Sequence, residues 1–298
     1  FAYVANEDSN NVSAYSINAT SGALSPISGS PFPGGNEPFG VAVAPSGKLV
    51  YVVNYRFGNV SAYAVTAGSG ALTEIAGSPF AAGGESDGIA VDPMGRFVFV
   101  SSGGSNSAGA VYVYAIKPRT GALVPVAGSP FNAGTYSNGV AIDPSGKFAY
   151  VANLGGANVS AYAINPTSGV LTSVSGSPFG AGRLPDAVSV DPTGKYAYVD
   201  NSGDGTVSDY TIAGNGALVA ITGSPFGTGS YSRGVENDPS GRFAYVTNYG
   251  SNNVSGYSVD PSTGALTSLS GSPFGAGNGA FGIATCHVKK GKCLPPPL

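Results

Sequence analysis

Short apolar runs alternate with clusters of Gly, Pro, Ser and Asn along almost the whole chain. One unit reads Gly40-Val-Ala-Val43, the turn Pro45-Ser-Gly-Lys48, then Leu49-Val-Tyr-Val-Val-Asn54, Asn59-Val-Ser-Ala-Tyr-Ala-Val65, Leu72-Thr-Glu-Ile75 and Gly77-Ser-Pro-Phe80. Runs rich in Val, Ile, Tyr and Phe, bounded by residues that accept sharp backbone angles, predict β-strands. They are labelled a, b, c and d in chain order. No helical periodicity competes with them. Apolar or small residues on both sides of each strand suit a sheet covered on both faces. Ala and Gly line the a strands, whereas b and c carry Tyr and Phe, which is the taper expected around a central axis. Tyr15, Tyr63, Tyr114, Tyr162, Tyr210 and Tyr257 recur in strand c and read as wedges between neighbouring sheets.

Gly-Ser-Pro-Phe occurs six times, starting at Gly29, Gly77, Gly128, Gly176, Gly223 and Gly271. Self-similarity near this period signals a solenoid, propeller or array. The chain opens on a b strand, Phe1–Asn6, and ends on a lone a strand, Gly282–Cys286. Together the leftovers make one complete sheet, the closure by which propellers remove free edges. The reading is all-β: a six-bladed β-propeller of four-stranded blades, closed by pairing N-terminal strands b, c and d with the C-terminal strand a. It spans residues 1–288 as one domain, with 289–298 as a tail.

Composition narrows the function classes. The 298 residues carry a net charge of −3, and the basic run Lys289, Lys290 and Lys292 reads as a solvated tail, so no footprint for nucleic acid is present. No apolar stretch is long enough for a membrane span. Starting at Phe1 inside a repeat, the chain is expected to have lost a signal peptide, placing it outside the cell, in the periplasm or on the cell surface. Cys286 and Cys293 fit a small disulfide-closed hairpin at the ring closure. Asn-x-Ser/Thr occurs at Asn11, Asn18, Asn59, Asn158 and Asn253, and four of these are the repeated Asn-Val-Ser, hence repeat grammar before glycosylation.

Tyr245-Val-Thr-Asn248 follows Asp238-Pro-Ser-Gly-Arg242, with near copies at Phe148-Ala-Tyr-Val-Ala-Asn153 and Tyr196-Ala-Tyr-Val-Asp-Asn201. On these motifs the chain resembles the YVTN-repeat propellers and the lactonase-like superfamily that includes 6-phosphogluconolactonase-like proteins. The resemblance covers nearly the whole chain. It implies a propeller and admits a lactonase activity. Relatives commonly have seven blades, whereas six are counted here.

Function is sought where the copies disagree. The a–b turns hold Asp92, Asp143, Asp191 and Asp238 with Arg96, Lys147, Lys195 and Arg242, which is turn chemistry. The residue just before each a strand varies instead: Phe39, Asp87, Asn138, Asp186, Arg233 and Phe281, expected to ring one mouth of the channel. Further along, the column Ala42, Ala90, Ala141, Ser189, Glu236, Ala284 contains a single acid, with Asn237 beside it. Three readings compete. Glu236 pairs with Arg233 as a structural ion pair. Alternatively Asp87, Asn138, Asp186 and Glu236 form a Ca²⁺ site of hard oxygen ligands. In the third, Arg233 and Arg183 hold an organic acid or lactone while Glu236 acts as general base, with sugar binding as a variant.

Phe39, Tyr55, Phe57, Tyr136, Tyr231, Tyr249 and Phe281 break the repeat in the b–c or d–a loops, with Arg56 between two of them, as ligand or partner contacts would. The long loop at residues 101–109 reads as mobile. His287 is the sole histidine, which excludes a multi-His zinc site and a Ser-His-Asp triad on this face. The leading expectation is an exported binding module taking a protein or carbohydrate partner. The alternative is a lactonase-like hydrolase, with assistance from a divalent cation as an option.

Overall fold

The computed structural model describes all residues except 19, 105–107, 282, 284–286, 290, 291 and 295–298, and gives strand assignments alone for 287–289 and 292–294. No helix occurs among the described residues, and six antiparallel sheets follow one another along the chain as the blades of a six-bladed β-propeller. Blade two is typical: a is Pro38–Val43, b is Leu49–Asn54, c is Asn59–Val65 and d is Leu72–Glu74. Blade one has b (Ala2–Asn6), c (Asn11–Ile17) and d (Leu24–Pro26). The a strand expected to complete it, and the Cys286–Cys293 bridge, fall on residues outside those described.

The repeated Gly-Ser-Pro-Phe corrects the picture of the outer strand. Residues Phe80–Ala81 form a further short strand that pairs with the start of c, while Leu72–Glu74 pairs with its end. The outer edge is therefore one strand broken in two. At the break the Ser78 hydroxyl accepts the Ala62 amide at 3.0 Å, replacing the ladder bond that the detour removes. Ser30, Ser129, Ser177, Ser224 and Ser272 do the same in the other blades. An interrupted edge is also a poor template for edge-to-edge pairing.

The chain divides into two compact units, Phe1–Val140 with Asn165–Val170, and Ala141–Ile164 with Leu171–Lys289. In the first, residues of blades two and three share one apolar core containing Tyr51, Val53, Val98, Val100 and Tyr114. The second has cores of the same kind, between blades four and five around Tyr150 and Tyr210, and between blades five and six around Tyr198 and Tyr257. Strand b of blades three and five is buried at every position, as a sheet covered on both faces requires.

Tyrosines close four of the seams inside the two units. In the first unit Tyr3 donates to the Gly70 carbonyl and Tyr51 to that of Gly121, both at 2.8 Å. In the second, Tyr150 donates to Gly216 and Tyr198 to Gly264, both at 3.1 Å. The acceptor sits in the c–d turn of the following blade. Gly121 and Gly216 have φ of 74° and 85°, and a Cβ would meet Leu49 at 2.4 Å and Phe148 at 2.3 Å. Glycine is required there twice over, for conformation and for space. The strand c tyrosines bind in the opposite sense, Tyr63 to Pro33, Tyr114 to Ala81, Tyr210 to Gly180 and Tyr257 to Gly227. For these four the wedge reading holds, with a hydrogen bond added.

The remaining consensus positions are also structural. Asn54 donates to Asn59 Oδ1 and Ser61 Oγ, which occupies the Asn-Val-Ser motif within the blade. Blades one, four and six repeat the arrangement from Asn6, Asn153 and Asn248. Asp143 Oδ1 accepts the amides of Lys147 and Phe148 at 2.7 and 2.6 Å, so the a–b turns are fastened by their aspartates.

Candidate active site

Four of the a strands join their b strands through a β-bulge or register irregularity near the start, at Pro38/Val41, Ser86/Ile89, Pro185/Val188 and Ser232/Gly234. Bulges re-aim a side chain without ending the sheet. The variable column lies there: Phe39, Asp87, Asn138, Asp186 and Arg233 are each the second residue of their a strand. Phe39, Asp87 and Asn138 belong to the first unit; Asp186, Arg233, Glu236 and Phe281 belong to the second.

In the second unit the a strands of blades five (Pro185–Val190) and six (Ser232–Asn237) are bridged by two side-chain pairs. Arg233 Nη1 lies 3.5 Å from Asp186 Oδ1, and Asn237 Nδ2 donates to Ser189 Oγ at 3.0 Å. The guanidinium also lies over the Phe281 ring, 5.8 Å from its centroid. Arg233 keeps 36% of its side chain exposed, so a ligand can reach it, while Asp186 keeps 5%.

This geometry overturns the expected Glu236–Arg233 ion pair. Arg233 turns to the acid of the preceding blade, in its own column, and Glu236 has no ion-pair partner among the described residues. Burial alone pushes the Glu236 carboxyl up to about 7. A carboxyl with that proton affinity exchanges a proton near neutral pH.

Two further acids are buried in blade five. Asp200, on strand b of blade five (Tyr196–Asn201), is fully buried; its Oδ1 accepts the Ala187 amide at 2.6 Å and its Oδ2 makes no hydrogen bond of normal geometry. Burial raises its proton affinity, the Asp186 charge raises it further, and the Ala187 amide, Ser232 and Arg233 oppose both. Asp186 is raised too, by burial, against the pull of Arg233. Asp209, on strand c (Thr206–Ile212), is fully buried with neither carboxyl oxygen hydrogen-bonded, and burial pushes it up to about 8. Sequence reasoning missed both. The signal was available: Asp200 stands in the column Val53, Ser101, Ala152, Thr247, and Asp209 in the column Ala62, Val113, Ala161, Gly256.

The other sequence-predicted residues are dispersed. In the first unit the Phe39 and Tyr55 rings lie 6.2 Å apart, Arg56 pairs with Glu37 at 3.1 Å, and Phe57 is exposed. Tyr136, Tyr231, Tyr249 and Phe281 are exposed. The Arg183 amide donates to Asp204 at 2.7 Å, and Arg183 and Tyr231 line a cleft of about 440 Å³ with Asp204 and Ser230. Among the described residues no group of three or more His, Cys, Asp or Glu side chains is arranged to hold a metal ion.

The family described as Lactonase, 7-bladed beta-propeller matches residues 1–87, 78–182 and 179–280. A candidate 6-phosphogluconolactonase from Bacteroides fragilis superposes with a TM-score of 0.78 at 20% identity, over 91% of this chain and 79% of its own. A protein from Lactobacillus plantarum gives 0.78 at 21% identity, over 94% and 83%. The periplasmic gluconolactonase of Pseudomonas aeruginosa gives 0.72 at 20% identity, over 87% and 81%. Identities this low carry the fold and not the chemistry. No curated protein matches the chain. Matched along residues 1–280 and built as a propeller of repeated blades, the chain belongs to the lactonase β-propeller family, with six blades where the family is described by seven.

Proposed function

We propose that the protein hydrolyses a lactone of a small organic acid at the a strands of blades five and six. The observation that carries the reading is Glu236: a partly accessible carboxyl, without an ion-pair partner among the described residues, whose proton affinity burial brings to about 7. Family membership supports the same reading, as does the likeness to a gluconolactonase.

In this mechanism Glu236 takes a proton from a water molecule, and the water oxygen attacks the lactone carbonyl carbon. Arg233, steadied by Asp186 and Phe281, faces the oxyanion that develops. The ring C–O bond then breaks, and Glu236 returns the proton to the leaving alkoxide. Lactone and water become the hydroxy acid, and no other reactant is consumed. The interaction-module reading rests on the exposed aromatics Phe57, Tyr136, Tyr231 and Tyr249, and no comparison supports it.

Acid release from gluconolactone and simple aliphatic lactones, corrected for spontaneous hydrolysis, tests the proposal. Activity is expected to rise with pH through about 7, as the base loses its proton. Glu236→Gln is expected to lower kcat by about 10²–10⁴-fold, the usual share of a general base. Hydrolysis no faster than in buffer, or full activity in Glu236→Gln, overturns it. Adding Ca²⁺ to chelator-treated protein tests the cation-assisted form.

A further inference from the structure

Strand b carries a hydrogen-bonding side chain at its fifth position in three blades, Ser101, Asp200 and Thr247, where blades two and four have Val53 and Ala152. The hydroxyls show what that position does. Ser101 Oγ accepts the Gly88 amide at 3.2 Å and donates to the main-chain carbonyl of Asn138. Thr247 Oγ1 donates to the main-chain carbonyl of Phe281 at 2.6 Å. In both cases the acceptor is the variable-column residue of the following blade.

Asp200 reproduces half of this pattern. Its Oδ1 accepts the amide of Ala187, the counterpart of Gly88 in strand a. The variable-column residue of the next blade is Arg233. The other oxygen, Oδ2, is buried and makes no hydrogen bond of normal geometry, while the buried Ser232 hydroxyl, itself unbonded, lies near enough to favour its ionised form. An ionised Oδ2 has no proton to give a carbonyl, and it adds a second negative charge beside Asp186. A protonated Oδ2 supplies the donor that Ser101 and Thr247 supply elsewhere.

We infer that Asp200 keeps its proton at neutral pH and donates it to the main-chain carbonyl of Arg233, acting as a positioning residue for that arginine. Two acids then hold one cation by different means: Asp186 by charge at the guanidinium, Asp200 through a proton at the backbone. The groups facing Asp200 fit this assignment. Asp186 and burial favour the neutral form; Arg233, Ser232 and the Ala187 amide favour the ionised one, and burial is the largest of these influences. A positioning role in catalysis rests on the lactone reading; the proton itself does not.

Infrared difference spectra of the full chain, wild type against Asp200→Asn at neutral pH, test the proton directly. The expected result is loss of a protonated-carboxyl C=O band in Asp200→Asn. Loss of an ionised-carboxylate band instead overturns the inference. Melting of Asp200→Asn, Asp200→Ser and Asp200→Ala provides a second readout. Asn and Ser both keep a donor and are expected to melt above Ala; Ala melting as high as both overturns the donor role. If wild type hydrolyses a lactone, Asp200→Ala is expected to raise KM several-fold with recovery in Asp200→Asn. Absence of hydrolysis defeats the proposed activity while the spectroscopic result stands.

Discussion

Blades two and five share a fold and differ in their interior. Both have the broken outer edge, the Asn-to-Ser bonds and the strand b tyrosine, Tyr51 or Tyr198, that donates to a turn glycine. Where blade two has Ala42, Val53 and Ala62, blade five has Ser189, Asp200 and Asp209. The backbone accepts either set, because the ladder at these positions is made by main-chain groups and the serine of the outer break, not by the side chain that varies. Electrostatics are less tolerant. Burying a carboxyl without a full set of partners costs free energy, and proteins meet that cost by keeping the group neutral or pairing it. Blade five thus carries an electrostatic cost that blade two does not, with Asp186 and Asp200 beside Arg233 and Asp209 buried alone.

The largest test of that contrast is Asp209→Ala, which gives blade five the residue of blades two and four. A folded-state proton affinity of about 8 lies above the ordinary carboxylate value of about 3.9, so the neutral form is stable below that lower value and stability is lost as pH rises through the upper one. The substitution is therefore expected to stabilise the protein by on the order of 2–4 kcal/mol at neutral pH, with the gain vanishing near pH ~4. Denaturant unfolding at several pH values checks it; a loss of stability at neutral pH breaks the contrast. The tyrosine latches sharpen it from the other side. Tyr51→Phe and Tyr198→Phe are expected to cost about 1 kcal/mol each, and equally, because both remove one buried bond to a glycine carbonyl. Unequal costs by the same assay would show that blade five differs in its scaffold too. The smallest effect is Phe281→Ala, which removes the ring beneath Arg233 and is expected to weaken lactone binding by about 0.5 kcal/mol, read as a roughly twofold rise in KM.

Much of this contrast was legible in the amino-acid sequence, and unevenly so. The propeller was readable because one packing solution is written repeatedly, and its consensus Ser, Asn, Tyr and Asp side chains prove to make repeated bonds. Gly-Ser-Pro-Phe was seen as a marker but not as a strand break, since the need for a hydroxyl at Ala62 appears only when the two outer segments are paired. Glu236, Arg233 and Asp186 were found by comparing copies along strand a. Their pairing was misread because Arg233 was matched to the nearest acid in the chain rather than to its column neighbour one blade earlier. Asp200 and Asp209 escaped because strands b and c were read as packing surfaces. A buried acid in such a strand looks like a substitution in an otherwise apolar run until burial is known.

The seams have a consequence for how such chains arise. Each tyrosine donor lies in one repeat and its glycine acceptor in the next, so a gene segment copied in tandem brings both halves of a new seam with it. Where a seam has this form, gaining or losing a copy leaves its donor and acceptor in place, and a family described by seven blades can contain a member with six. The acids of blade five are not part of that junction. Duplication therefore multiplies framework, while the buried acids stay in the copy that carries them.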